Sequence, residues 1–350
     1  MLTSLLIKDF KSLSSAELRL TPLTLFAGPN SSGKSSAIQA LLFAVDNLSV
    51  PEDSHRLICK RQRMLTFNES RNFLTNAKRY SIGISDDKYS VELDCTAGDE
   101  AFRFTDVVRT GEISSYMAHL SNDGLLYLPA DRNADLSRTS INNAPDSNLI
   151  GINAEYLIDY FYNNRKKLVD TALLSEGEIR TVETLLNQWL KKLTDYEIVV
   201  EPQESEYVTK FQTPYGKIIP SYGVGTGVSF IVEILIVCLL AKKGDVVVIE
   251  NPEIHLHPAA QADLIDFFVM VANSGIQVIL ESHSDHFFNG IRRLLHSGTL
   301  SLANVSVYNF TKAEFGTNVE AVKLNQSGGI ENYIPGMFEQ FDDDLDELWK

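Results

Sequence analysis

LTLFAGPNSSGKSSAIQALLFAV, Leu23 to Val45, runs from a short apolar stretch through a glycine-bounded loop into a segment with apolar residues at helical spacing. The loop, Gly28 to Ser35, has the form G-x-x-x-x-G-K-S. Between a strand and a helix this pattern cradles phosphates: glycines let successive backbone N–H groups curl round an anion, and the helix N-terminus adds its dipole. Lys34 brings a full positive charge, and the Ser35 hydroxyl suits Mg²⁺. Asn30, Ser31, Ser32, Gly33 and Ser36 complete the candidate contacts for a nucleotide. A glycine- and serine-rich turn could match by chance, but the strand before, the helix after and an acidic strand downstream stand in the required order.

That acidic strand is VVVIENPEIHLHP, Val246 to Pro258. An acid ending a strand beside a phosphate loop is where Mg²⁺ and an attacking water are managed, so Glu250 joins Ser35 as a candidate metal ligand. A second apolar strand, in VILESHSDHFF, ends in Glu281-Ser282-His283-Ser284. On the next parallel strand His283 lies near the same phosphates; a core histidine is the alternative. GVGTGVS, Gly223 to Ser229, precedes the apolar helix that follows. Gly225 and Gly227 there would expose N–H groups to a phosphate, or merely start the helix.

With 350 residues, 44% hydrophobic and 22% charged, the chain has the composition of a soluble globular protein, and disorder as its main state is excluded. Its 31 basic and 46 acidic residues leave a net charge of −15, which repels nucleic acid and anionic membrane. Contact with DNA is therefore confined to local islands, HRLICKRQR at His55 to Arg63 and Arg165-Lys166-Lys167, for which ordinary solvated faces are the alternative. Three widely spaced cysteines fit neither a disulfide framework nor a cysteine zinc site. The start, MLTSLLIKDFKSL, lacks the features of a signal peptide, and the longest apolar run, Phe230 to Ala241, carries Glu233 and falls short of the roughly 18 residues of a membrane span. A cytoplasmic location without membrane contact is expected.

Strands LLIKDF, AELRL and LTLFA and the first helix fill residues 1–45. From 46 to 125, YSIGIS, YSVELDC and AFRFTDVV suggest an antiparallel β lobe. Residues 126–153 read as a loop after LLYLPA, 154–196 as a helical lobe, and YEIVVEP with VTKFQT as a β pair. From 221 to 335 helices and strands alternate, beginning with a helix over 228–242, and an acidic tail closes the chain at 336–350. The expectation is one α/β domain: a nucleotide core of 1–45 and 221–335 on a mixed, largely parallel sheet, with an antiparallel lobe and a helical lobe set on it.

These residues, in this order, resemble the ABC-type P-loop ATPases of the SMC, RecF and OLD (overcoming lysogenisation defect) group. FKS at Phe10 to Ser12 is similar to the FKS or FRS that opens those heads, the loop has their GPN-x-x-GKS form, ENPEIHLHP their E-x-PE-x-x-LHP form, and ESHS their histidine switch. The ending IENYIPGMFEQ also resembles the close of a small bacterial AAA ATPase family with a C-terminal domain of unknown function. The resemblance implies a head that binds ATP and Mg²⁺ and dimerises on them, each nucleotide held by one subunit's phosphate loop and the other's signature helix. It adds Lys11 to the nucleotide contacts and makes Gly225, Gly227 and Ser229 the signature candidates, departing from the usual Ser-Gly-Gly-Gln form.

In most such heads the residue after the metal-binding acid is a catalytic Glu; here it is Asn251. An amide can orient a water but cannot take its proton, so either Glu253 serves as base or hydrolysis is slow and ATP acts as a clamp. A zinc cluster of Glu253, His255 and His257 is set aside because the loop already matches the ATPase segment. Asp131-Arg132 is a candidate for a phosphate or inter-subunit contact, or a salt-bridged loop. With no Toprim nuclease motif and no coiled-coil arm, the expected role is to control a separate effector, such as a nuclease, in bacterial antiphage defence, through a homodimer or a multiple of it. The lobes and the tail ending in Trp349 are the docking surfaces. The alternatives are a RecF-like repair ATPase that clamps DNA and a non-hydrolysing scaffold.

Overall fold

In this computed structural model, which describes residues 1–49, 57–63, 65–99, 104–132, 135–143, 149–174, 177–332, 334, 337 and 347, three strands are buried along their whole length. They are β3 (Leu23–Ala27), β12 (Val246–Glu250) and β13 (Gln277–Ser282). Strands apolar on both faces must be covered on both, and they form the middle of a six-stranded sheet. Its order is β15-β14-β3-β13-β12-β7, with β7 (Leu125–Leu128) and β14 (Val305–Ala313) parallel to the middle and β15 (Gly316–Ala321) antiparallel at the edge.

Alternate side chains on these strands serve two cores. Leu25, Val247, Ile249, Val278 and Leu280 point into one, with residues of α4 (Leu157–Asn164), α5 (Val182–Thr194), α6 (Thr226–Leu240), α7 (Pro258–Asn273) and α8 (Asp285–His296). Phe26, Val246, Val248 and Ile279 point into the other, with α1 (Lys34–Asn47) and a five-stranded antiparallel sheet. That sheet runs β2-β1-β4-β5-β6: β1 (Ser4–Phe10), β2 (Leu13–Arg19), β4 (Arg79–Ser85), β5 (Ser90–Ala97) and β6 (Thr105–Gly111). Two short helices, α2 (Phe67–Ser70) and α3 (Ser115–His119), border it.

The first two strands thus belong to the antiparallel lobe rather than to the core sheet expected of residues 1–45. One buried and one wet face, as in the alternating burial of β2, is what an antiparallel sheet on a core requires. Residues 126–153 are not all loop either. β7 is the strand expected of LLYLPA, and beyond it β8 (Arg138–Ser140) joins β9 (Glu197–Pro202), β10 (Glu206–Gln212) and β11 (Ile218–Pro220) in a small sheet leading towards α6. Most of the tail at 336–350 lies outside the described residues.

Among the described residues each basic island has one engaged arginine, while Arg63, Lys166 and Lys167 are exposed. Arg61 is buried against Asp46 and donates to the carbonyls of Leu120, Asn122 and Leu125, while Arg165 lies over the Tyr162 ring, 3.5 Å from its centroid. Among the described residues no helix is long and apolar enough to cross a membrane. Removing one member of a buried ion pair typically costs about 3–5 kcal/mol. Arg61→Ala should therefore lower the thermal midpoint sharply in a melting experiment. An unchanged midpoint would mean that Arg61 is a solvated cation free for other partners.

Candidate active site

Parallel pairing sets the site. Glu250 at the end of β12 is in register with Glu281 on β13, and Ser282 with Ala27, the residue before the phosphate loop. The carboxyl ends of three neighbouring strands therefore open at one level, where α/β sheets bind ligands. Gly28 and Gly33 take left-handed backbone, φ 135° and 102°. A side chain at Gly28 would strike the Phe310 carbonyl at 2.2 Å, and one at Gly33 the Thr317 hydroxyl at 2.4 Å. The loop is thus pressed between β14 and the β1–β2 turn. Asn30 and Ser31 are exposed, Ser35 and Ser36 half-buried, and Ser32 buried with its hydroxyl unpartnered.

Lys34 is buried. Its Nζ donates to the carbonyls of Gly28 (2.9 Å) and Pro29 (2.8 Å) and lies 3.9 Å from Glu281 Oε1. Burial lowers its pKa, and Glu281, Glu253 and Glu250 oppose that fall. Ser35 Oγ donates to Glu281 Oε1 at 2.9 Å. Glu281 is the residue the sequence reading missed: its motif was noted, but only His283 was drawn from it. The available signal was an acid ending a buried apolar strand, the same signal that marked Glu250.

Glu250 Oε2 accepts from the Ala130 N–H at 3.1 Å and also bonds the Tyr127 hydroxyl, yet burial holds its pKa above the usual carboxylate range. Burial and the charge of Glu250 push Glu281 up to about 7 despite Lys34 and Ser35. Glu253 Oε1 accepts from the His283 N–H at 2.6 Å. His283 Nδ1 lies 2.8 Å from the Gly28 carbonyl, which can only accept, and 3.3 Å from Lys34 Nζ, which can only donate; the shorter contact assigns the proton to Nδ1 and leaves Nε2 as an acceptor. Burial and the Lys34 charge lower its pKa, which favours the neutral ring.

Buried acceptors left without donors mark what the site lacks. Glu250 Oε1, Glu281 Oε2, Glu253 Oε2 and Asn251 Oδ1 are all buried and unpartnered. Acidic and amide oxygens together with the Ser35 hydroxyl fit a hard cation such as Mg²⁺, which takes oxygen donors and keeps waters. Among the described residues no His, Cys, Asp and Glu cluster forms a metal cage of its own, which suits an ion shared with phosphate.

The other predicted residues are placed as follows. Asn251 takes φ 45°, with its N–H on the Glu281 carbonyl at 2.8 Å, so it bridges the two acidic strand ends. Lys11 bonds Gln39 of α1 and lies beside Phe10, in the turn whose Ser12 abuts Gly33. Gly225 caps α6, exposed and with open space where a side chain would go. Gly227 is tight against the His255 carbonyl, which a side chain would meet at 2.5 Å. Ser229 is buried inside α6, so its side chain does not share the exposed helix start. His257 caps α7 and His255 packs on Phe230, so both histidines serve the loop itself. Of the pair Asp131-Arg132, Asp131 is exposed, whereas Arg132 is buried beside Glu233, as the salt-bridged alternative supposes.

Fold and site together define a P-loop ATPase head. Residues 23–289 match the family described as "AAA domain, putative AbiEii toxin, Type IV TA system", and the chain belongs to that family. The chain is similar in fold to solved SMC heads: the SMC head bound to the C-terminal winged-helix domain of ScpA (TM-score 0.57, 14% identity, 93% of this chain and 98% of that one) is one. Another is the SMC head domain of Thermotoga maritima (0.50, 12%, 92% and 99%). A third is the Pyrococcus furiosus SMC head with an extended coiled coil, bound to the C-terminal domain of ScpA (0.54, 12%, 100% and 99%). No curated protein matches the sequence. The ATPase fold of AAA and SMC-like type and its P-loop agree with the architecture expected from the sequence.

A raised carboxyl has a definite effect on stability. Between the ordinary value of 4.5 and about 7 the native Glu281 keeps a proton that the unfolded chain has released, so its contribution to stability is lost as pH rises through that window. The nucleotide-free protein should melt at progressively lower temperature from pH 5 to pH 7.5, and Glu281→Gln should flatten that fall. Parallel pH curves for the two proteins would contradict the assignment.

Proposed function

We propose that the chain binds ATP with Mg²⁺ at the loop Gly28–Ser36, hydrolyses it slowly, and closes as a homodimer that controls a separate effector protein. The observation that supports this most is the meeting of Lys34, Ser35, Glu250, Glu253, Glu281 and His283 at one end of the sheet, with acceptor oxygens left open among them. Lys34 leaves the Gly28 and Pro29 carbonyls to neutralise phosphate oxygens. Ser35 and Glu250 would hold Mg²⁺, and Glu281 accepts from the Ser35 hydroxyl and so fixes it. When bound, the metal neutralises charge that develops on the transferred phosphate.

Asn251 Oδ1 orients water but leaves its proton in place, and Glu253, whose free oxygen faces no donor, is the base that remains. Through its backbone N–H on Glu253, His283 ties its strand end to that base, and its Nε2, an acceptor in the neutral ring, meets a phosphate oxygen only after taking up a proton. Exposed Gly225 and the N–H groups at the start of α6 form the half-site offered to the nucleotide of a second copy. The family description, which names a toxin and a type IV toxin–antitoxin system, supports a paired, defence-related setting in which a nuclease is one fitting effector. The acidic balance of −15 favours a protein partner over free DNA.

Lys34→Ala should abolish ATP binding in calorimetry, and unchanged affinity would end this reading. Asn251→Glu should raise steady-state turnover, by up to the roughly 10²–10⁴-fold that a positioned base supplies. Turnover that the substitution leaves unmoved, in a protein already hydrolysing ATP efficiently, would show that Asn251 is not at the limiting position.

A further inference from the structure

α6 is buried and apolar along most of its length, and inside it sits one acid, Glu233, whose pKa burial pushes up to about 8 despite the neighbouring Arg132. Its partner is Arg132, just beyond β7, with Nε 3.2 Å from Glu233 Oε2. The same guanidinium lies over the ring of Phe230, 4.6 Å from its centroid. It donates through Nη1 to the carbonyls of Pro129 and Glu250, both at 2.8 Å, and through Nη2 to the carbonyl of Asn251 at 3.3 Å. One planar cation therefore lies against the second turn of α6, close to Glu233 and over Phe230 but without a hydrogen bond between Nε and Oε2, and holds the backbone of the Glu250–Asn251 step with its other edge.

We propose that Arg132 is a positioning residue that couples the exposed start of α6 to the acid loop Glu250–Leu256. Three observations carry this. A buried Arg–Glu pair adds little stability over well-packed apolar side chains, so its presence calls for a reason other than stability. Besides Glu233, Phe230 and the Pro129 carbonyl, the guanidinium bonds the main chain of Glu250 and Asn251, the two residues proposed to hold metal and water. A second contact joins the same two elements, since Gly227 packs on the His255 carbonyl and Phe230 lies 5.6 Å from the His255 ring. A shift of the α6 start then moves the guanidinium, and with it the carbonyls of residues 250 and 251. A lysine cannot reproduce this, because an ammonium lacks the fixed fork that serves an acid and several carbonyls at once.

The link to turnover rests on the proposed ATPase function, whereas the mechanical link does not, so the experiment separates them. Hydrogen exchange is measured on nucleotide-free wild type, Arg132→Lys, Glu233→Gln and the apolar double variant R132M/E233M. Both single variants should speed exchange across 251–256 roughly tenfold, about the effect of losing one hydrogen bond to a charged group, with α8 unchanged. ATP affinity, which depends on Lys34, should stay at the wild-type level while kcat falls. If Arg132→Lys fails to fold, Glu233→Gln decides alone. Wild-type exchange at 251–256 in Glu233→Gln overturns the coupling. So does a double variant that recovers both wild-type exchange and wild-type kcat, since the pair would then be packing only. Wild type that binds no ATP, with exchange still faster in the single variants, removes the proposed function and keeps the coupling.

Discussion

Lys34 stands among three glutamates where none of the four can be fully hydrated, and the rest of the site follows from that. The cation is tied to its own loop carbonyls and lies near Glu281, which receives the Ser35 hydroxyl and is pushed towards neutrality by Glu250 one strand away. Such a cluster is tolerable only if the sheet fixes it, because unpartnered buried acceptors each cost about 1–3 kcal/mol. The register Glu250 to Glu281 and Ser282 to Ala27 supplies that fixation. Glu253 then reaches the His283 N–H and Asn251 the Glu281 carbonyl, so loop and strand ends move as one.

Much of this was legible in the chain. The phosphate loop announces its strand and helix because glycines are required where Gly28 meets Phe310 and Gly33 meets Thr317, and the apolar runs before Glu250 and Glu281 can only be strands covered on both faces. What could not be read is what depends on contacts distant in sequence. β1 pairs with β4, some 75 residues on, because their buried faces match, and no local pattern reveals that partner. For Arg132 the sequence left a phosphate or inter-subunit contact and a salt-bridged loop both open, and its partners Glu233 and Phe230, about 100 residues on in α6, could not be named from it. Ser229 likewise followed from a motif, whereas helix phase turns it inward while the N–H groups at Gly225 stay open.

The two faces of the sheet divide the labour. The antiparallel lobe and α1 hold the phosphate loop from one side, while α6, α7 and α8 hold the acid loop from the other. Any event that changes the spacing between the phosphate loop and the start of α6 is therefore felt at the residues in between. The small sheet β8–β11 leads through a 3-10 turn at Ser221–Gly223 into α6, so it is the surface joined most directly to the start of that helix.

The central claim is that one chain contributes two halves of different nucleotide sites, the loop at Gly28–Ser36 and the helix start at Gly223–Ser229. Amide hydrogen exchange with and without ATP and Mg²⁺, followed as a function of protein concentration, tests it most directly. The account predicts that amides of the phosphate loop become protected at every concentration, and that those at Gly223–Ser229 become protected only as the concentration rises through the range where the protein self-associates. Protection confined to the phosphate loop at all concentrations, or protection of the helix start that ignores concentration, would contradict it.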